Sequence, residues 1–136
     1  MRKSVIVAVT LVLCLLLQTT FVFAASWNIA ASSNNQNCYF DTESVRYIKV
    51  NHEKHIEVWV HFVLHRPLSD GTKTYIQKLW YQTDTKMFSI KAEHLYDING
   101  THLRSNSYPN VWYDIIPGTM GETIYDNIKS YCERNR

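Results

Sequence analysis

The stretch KHIEVWVHFVL, residues 54–64, constrains this chain more than any other. Read at period two, it separates Ile56, Val58, Val60, Phe62 and Leu64, with no polar member, from His55, Glu57, Trp59, His61 and Val63. A strand sorts residues this way because its successive side chains point to opposite faces. A helix would mix the two sets and would have to carry a run of β-branched residues. One face of this strand therefore belongs to a core, and the other is amphipathic.

An apolar strand face needs a cover, and the C-terminal segment supplies one. Thr119-Met120-Gly121-Glu122 has the form of a capping box, with the threonine hydroxyl placed to meet a free backbone N–H and Glu122 to reach back. Beyond it Met120, Ile124, Ile128 and Cys132 share one helical face, which predicts an amphipathic helix with its apolar stripe ending on the cysteine.

Further strands are expected over residues 26–30, 38–40, 45–50, 72–83, 87–96 and 101–104, with a bulge in the later part of 87–96. Asp41-Thr42-Glu43-Ser44, Asn51-His52-Glu53 and the Pro67 to Gly71 segment read as turns. Asn99-Gly100 suits a hairpin whose two central residues take positive φ. None of the gaps holds a crossover helix, which parallel neighbours would need. The expected fold is α+β: an antiparallel meander of about five to six strands with one C-terminal helix packed on its apolar face.

At the N-terminus Arg2 and Lys3 precede an uncharged run from Val5 to Leu17, and Ala24-Ala25 offers small residues for cleavage. This order is that of a secretory signal peptide, residues 1–25, followed by a single domain, residues 26–136. The competing reading is a retained membrane anchor over residues 5–25. Cleavage removes Arg2 and Lys3, so the formal charge of +2 falls to zero, with 12 basic residues against 12 acidic ones. A neutral domain without a basic tail has no electrostatic claim on nucleic acid, and no membrane span is expected once the signal is gone. Cys38 and Cys132 remain in an exported chain, and they are expected to form one disulfide.

Catalytic and metal chemistry find little footing. His55, His61 and His65 share one strand face, but residues four apart on a strand are separated by roughly 13 Å, too far to share an ion. His52 and His55 flank a turn that leaves their directions unconstrained. Ser44, Ser69 and Ser89 stand in no nucleophile-elbow context, and the glycines of Pro117-Gly118-Thr119-Met120-Gly121 lack the Lys-Ser or Lys-Thr of a phosphate loop. The chain is read as a non-enzyme with no cofactor and no metal. Its strongest functional sign is aromatic: Glu57, Trp59 and His61, on the amphipathic strand face, form the expected partner contact.

The order Trp27-Asn-Ile, Phe40-Asp-Thr-Glu-Ser-Val45, Val58-Trp-Val60, Tyr96-Asp-Ile-Asn-Gly100, and Trp112 with Pro117-Gly118-Thr-Met-Gly-Glu-Thr-Ile-Tyr125 resembles the surface-adhesin protein E family of small exported bacterial proteins. The resemblance spans residues 27–132. It implies a six-stranded antiparallel sheet with the C-terminal helix tied to its concave face by a disulfide. It also implies a cell-surface protein that binds host matrix or envelope proteins. Where other members carry Asp-Cys after the strand matching residues 72–83, this chain has Asp84-Thr85, which leaves Cys38 as the partner for Cys132. Two classes of function follow. An adhesin or protein-binding module would expose aromatics on the sheet face away from the helix. A periplasmic small-ligand-binding or envelope accessory protein would instead hold an apolar pocket between sheet and helix.

Overall fold

The long alternating stretch is the central strand of the sheet in a computed structural model, which describes residues 25–108 and 110–135. The signal peptide expected over residues 1–25 lies, apart from Ala25, outside the described residues. In chain order the elements are β1 (Trp27–Ser32), β2 (Gln36–Asp41), β3 (Arg46–Val50), β4 (Glu53–Leu64), β5 (Thr74–Gln82), β6 (Met87–Tyr96), β7 (His102–Asn106), β8 (Tyr113–Asp114) and α1 (Met120–Arg134).

Eight strands make one antiparallel sheet whose main path runs β1-β2-β4-β5-β6-β7, with β3 on β4 and β8 on β6. The two extra strands do not lengthen that path. β2 pairs with residues 60–64 of β4 and β3 with residues 53–57, so both lie along the same edge. They act as one strand broken at the Asp41–Ser44 turn, where Ser44 N–H donates to Asp41 O at 3.1 Å. The break would orphan the Trp59 N–H in the ladder, and the Ser44 hydroxyl fills that place at 2.9 Å. β7 and β8 divide the edge of β6 in the same way. The sheet is thus the expected meander in six rows, two of them split.

From Ile56 to Phe62 the even-numbered side chains of β4 are buried as the alternation requires, Ile56, Val58 and Val60 at 0% exposure and Phe62 at 8%, whereas Leu64, expected on the same core face, is only half-buried at the strand end. The four buried ones join Cys38 and Phe40 of β2, Leu79 and Tyr81 of β5, and Ile124, Tyr125, Ile128 and Cys132 of α1 in one core. Phe62 stacks on Tyr75 with ring centroids 4.6 Å apart. Two polar contacts fix the helix along the sheet. The Tyr125 hydroxyl donates to Thr83 O at 3.2 Å, and Asn127 Nδ2 donates to Ala30 O at 2.6 Å.

Thr119 caps α1 in extended geometry, its hydroxyl accepting from Glu122 N–H. Glu122 reaches back one residue further than a capping box requires and accepts from Gly118 N–H at 2.8 Å. Gly118, at φ 74, takes the left-handed turn that aims its N–H this way.

The turns differ from expectation in one respect. Asn51 and His52 both take positive φ and form the tight β3–β4 hairpin, whereas in the Asp97–Gly100 turn Gly100 alone does so. There the Asp97 carboxylate accepts from Asn99 N–H and Thr101 N–H, each at 2.8 Å, so a side chain organises the loop. The bulge on β6 falls at Lys91, beside the segment where it was expected. Cys38 and Cys132 are both buried in the core, and the described residues contain no disulfide. Burial pushes the Cys38 thiol far up, so it holds no thiolate at neutral pH.

Candidate protein-contact face

The sheet face opposite α1 is built by the other parity of the same strands. Across β4 and β5, Glu57 pairs with Trp80 and Trp59 with Lys78, while Tyr39 of β2 pairs with His61. All four tryptophans of the chain gather here: Trp27 against His61, Trp59 in β4, Trp80 beside Glu57, and Trp112 folded back over His55. They form three adjoining groups.

In the first group, Glu57 Oε2 accepts from Trp80 Nε1 at 2.7 Å and its Oε1 accepts from Arg46 Nε at 2.9 Å. Burial pushes the Glu57 carboxyl up, but the hydrogen bonds from Trp80 and Arg46 and the charges of Arg46 and Lys78 outweigh it and hold it below its ordinary range. Lys91, thrown out by the bulge, lays its ammonium 4.3 Å from the Trp80 ring centre and 5.4 Å from that of Trp112. Burial pulls the Lys91 pKa down. His55 is wedged edge-on between the two indoles and is only 1% exposed.

In the second group, Trp59 stacks on His94 with centroids 5.8 Å apart, and Lys78 sits 5.0 Å over its ring. His94 Nδ1 lies 2.7 Å from the Ser105 hydroxyl, which His102 Nε2 meets at 2.8 Å from its other side. The third group is Trp27, His61 and Tyr39, with His61 5.3 Å from the Trp27 ring and 6.5 Å from that of Tyr39. Burial lowers the His61 pKa, so the ring is neutral at pH 7.

The three residues singled out in the sequence share this face but not one role. Trp59 and His61 are half-buried and present ring surface to solvent, whereas Glu57 is 8% exposed and spends both oxygens on Trp80 and Arg46. Glu57 therefore orients its neighbours and offers a partner little. The tryptophans the sequence left unassigned, Trp80 and Trp112, and the cations Lys78 and Lys91 complete the surface. The parity shared by Lys78 and Trp80 on β5 was the available signal; Lys91 and Trp112 depend on a bulge and a returning segment.

The remaining histidines stay apart: His52 lies in the β3–β4 turn, and His65 Nδ1 is 2.9 Å from Asn34 O. Among the described residues no three His, Cys, Asp or Glu side chains lie together so as to hold a metal ion, and no helix is long and apolar enough to cross a membrane.

Neither a curated protein nor a solved structure matches the chain. A family model does: that of surface-adhesin protein E matches residues 27–132, from the first residue of β1 to the last buried position of α1. With the six-row antiparallel sheet and its single C-terminal helix, this match over most of the chain places it in the surface-adhesin protein E family.

Proposed function

We propose that the chain is an exported, non-enzymatic adhesin that binds host matrix or envelope proteins through the tryptophan face. The observation that carries this reading is the gathering of all four tryptophans, with Lys78, Lys91 and Arg46, on the one sheet face that α1 does not cover. Indole surface supplies apolar contact area, and the interleaved cations give orientation and favour acidic partners. Hot spots of protein interfaces are enriched in tryptophan and arginine. The family match supports a surface adhesin.

Export brings two further proposals. The mature chain begins at Ala25 or Ser26, and Cys38 and Cys132, which share one core, are joined in the oxidising compartment. The experiment is capture of purified mature protein by immobilised matrix and serum proteins, compared with Trp59→Ala. Saturable binding by the wild type, weakened in a variant that melts at the same temperature, is the expected result. Capture that Trp59→Ala leaves unchanged would remove this face from consideration and direct attention to the loops around Asn34, Leu68 and Asn106.

A further inference from the structure

The helix-bearing face is not filled everywhere. Where α1 begins, it leaves a cavity of about 260 Å³ between helix and sheet, walled by Phe62, Leu79, Phe88 and Ile90 on one side and Ile124 on the other. A dry cavity of roughly 150 Å³ holds one benzene ring. By that measure this one holds two fused rings.

Besides Tyr81, two carboxamides break the apolar lining, and each is already oriented. Gln77 Nε2 donates to Glu93 Oε2 at 2.6 Å, and the Glu93 carboxylate is held in turn by Asn106 Nδ2 and the Tyr108 hydroxyl, both at 3.0 Å. That leaves Gln77 Oε1 as an acceptor with no hydrogen bond among the described residues. Gln36 Oε1 accepts from the Tyr75 hydroxyl at 3.1 Å, which turns its Nε2 toward Met120 Sδ at 3.6 Å, a weak acceptor. The cavity therefore presents one oriented acceptor and, elsewhere on its lining, one poorly satisfied donor, and the acceptor suits a hydroxyl group.

Gly121 is the third sign. It lies in the first turn of α1 and lines the cavity, yet its backbone does not need glycine: its φ is ordinary, and an added Cβ would meet only Thr119 Oγ1 at 3.5 Å, a normal contact. Glycine is the less stable choice in a helix. Gly121 is exposed and lines the cavity, so a larger side chain has room there at the cavity edge.

We infer that this cavity binds a small apolar molecule of about two fused rings carrying one hydroxyl group, with Gln77 Oε1 accepting from that hydroxyl. The site lies on the opposite side of the sheet from the tryptophan face and does not depend on the adhesin reading. The test is titration of the purified mature protein with 2-naphthol and with 2-methylnaphthalene, in which a methyl replaces the hydroxyl. Saturable one-to-one binding is expected, with 2-naphthol favoured by about tenfold. Gly121→Leu fills the cavity edge and should weaken 2-naphthol by at least about tenfold without lowering the melting temperature. Gln77→Leu should erase the preference between the two ligands. Should Gly121→Leu fail to fold, Ile90→Phe fills the same space from the sheet side. Absence of saturation, equal affinity of the wild type for both ligands, or undiminished binding in a folded filling variant would overturn the proposal.

Discussion

On β4 the side chains from Ile56 to Phe62 at even positions meet an apolar core, while those from His55 to His61 at odd positions each meet a ring or a charge. The first face is closed by a helix. The second is closed in part by side chains of the sheet itself: Arg46 from β3, Trp80 from β5, Lys91 from the β6 bulge, and Trp112 from the segment before β8. The contrast teaches that an amphipathic strand face need not be a solvated one. Here it is a tiled surface, paired well enough to be ordered and open enough to be touched.

If the division between the faces is real, substitutions on the helix side should cost stability first. Phe62→Ala removes a ring stacked at 4.6 Å on Tyr75 and bordering the cavity, and it should lower the unfolding free energy by about 3–5 kcal/mol in urea melts. A loss below about 1 kcal/mol would mean that the core does not depend on this face. Next in size is the proposed disulfide, which also belongs to the helix side. Non-reducing peptide mapping of exported protein should join Cys38 to Cys132, and reduction should cost about 2–4 kcal/mol. Labelling of both thiols before reduction would break that part of the account.

How far each face was legible follows from where its determinants sit. The helix face rests on local periodicity, two residues for β4 and nearly four for Met120, Ile124, Ile128 and Cys132, so it could be read directly. The outer face rests on register between strands and on Trp112, which comes from more than fifty residues beyond its neighbour His55. Periodicity within one strand correctly put Glu57, Trp59 and His61 together. It could not tell that Arg46 and Trp80 would claim the carboxylate of Glu57, because that depends on β3 and β5 both pairing with β4 at that level. The cavity was foreseeable only as a possibility of the layered fold, since Gln36, Gln77 and Gly121 come from three elements.

Two smaller effects sharpen the outer side. Glu57→Ala leaves Trp80 Nε1 without its acceptor and should cost about 1–3 kcal/mol at neutral pH. The folded carboxyl is held below its ordinary 4.5, so the stability it contributes is present above that value and is lost as pH falls through the folded pKa. The gap between wild type and Glu57→Ala should therefore narrow in acid, and a gap that widens would contradict the hydrogen-bonded carboxylate. Smallest in energy is Trp59→Ala, which should weaken binding of a captured protein partner by about tenfold, or about 1.4 kcal/mol, while stability changes little by comparison with Phe62→Ala.

The central claim, that α1 and one sheet face make the fold while the tryptophan face makes the contact, is tested most directly by oxidative footprinting of the mature chain, free and bound to a captured matrix protein. The account predicts that Trp27 and Trp59 become protected on binding while the exposed loop residue Leu68 keeps its free-state rate. Protection of Leu68 and its neighbouring loops, with both tryptophans unchanged, would contradict it.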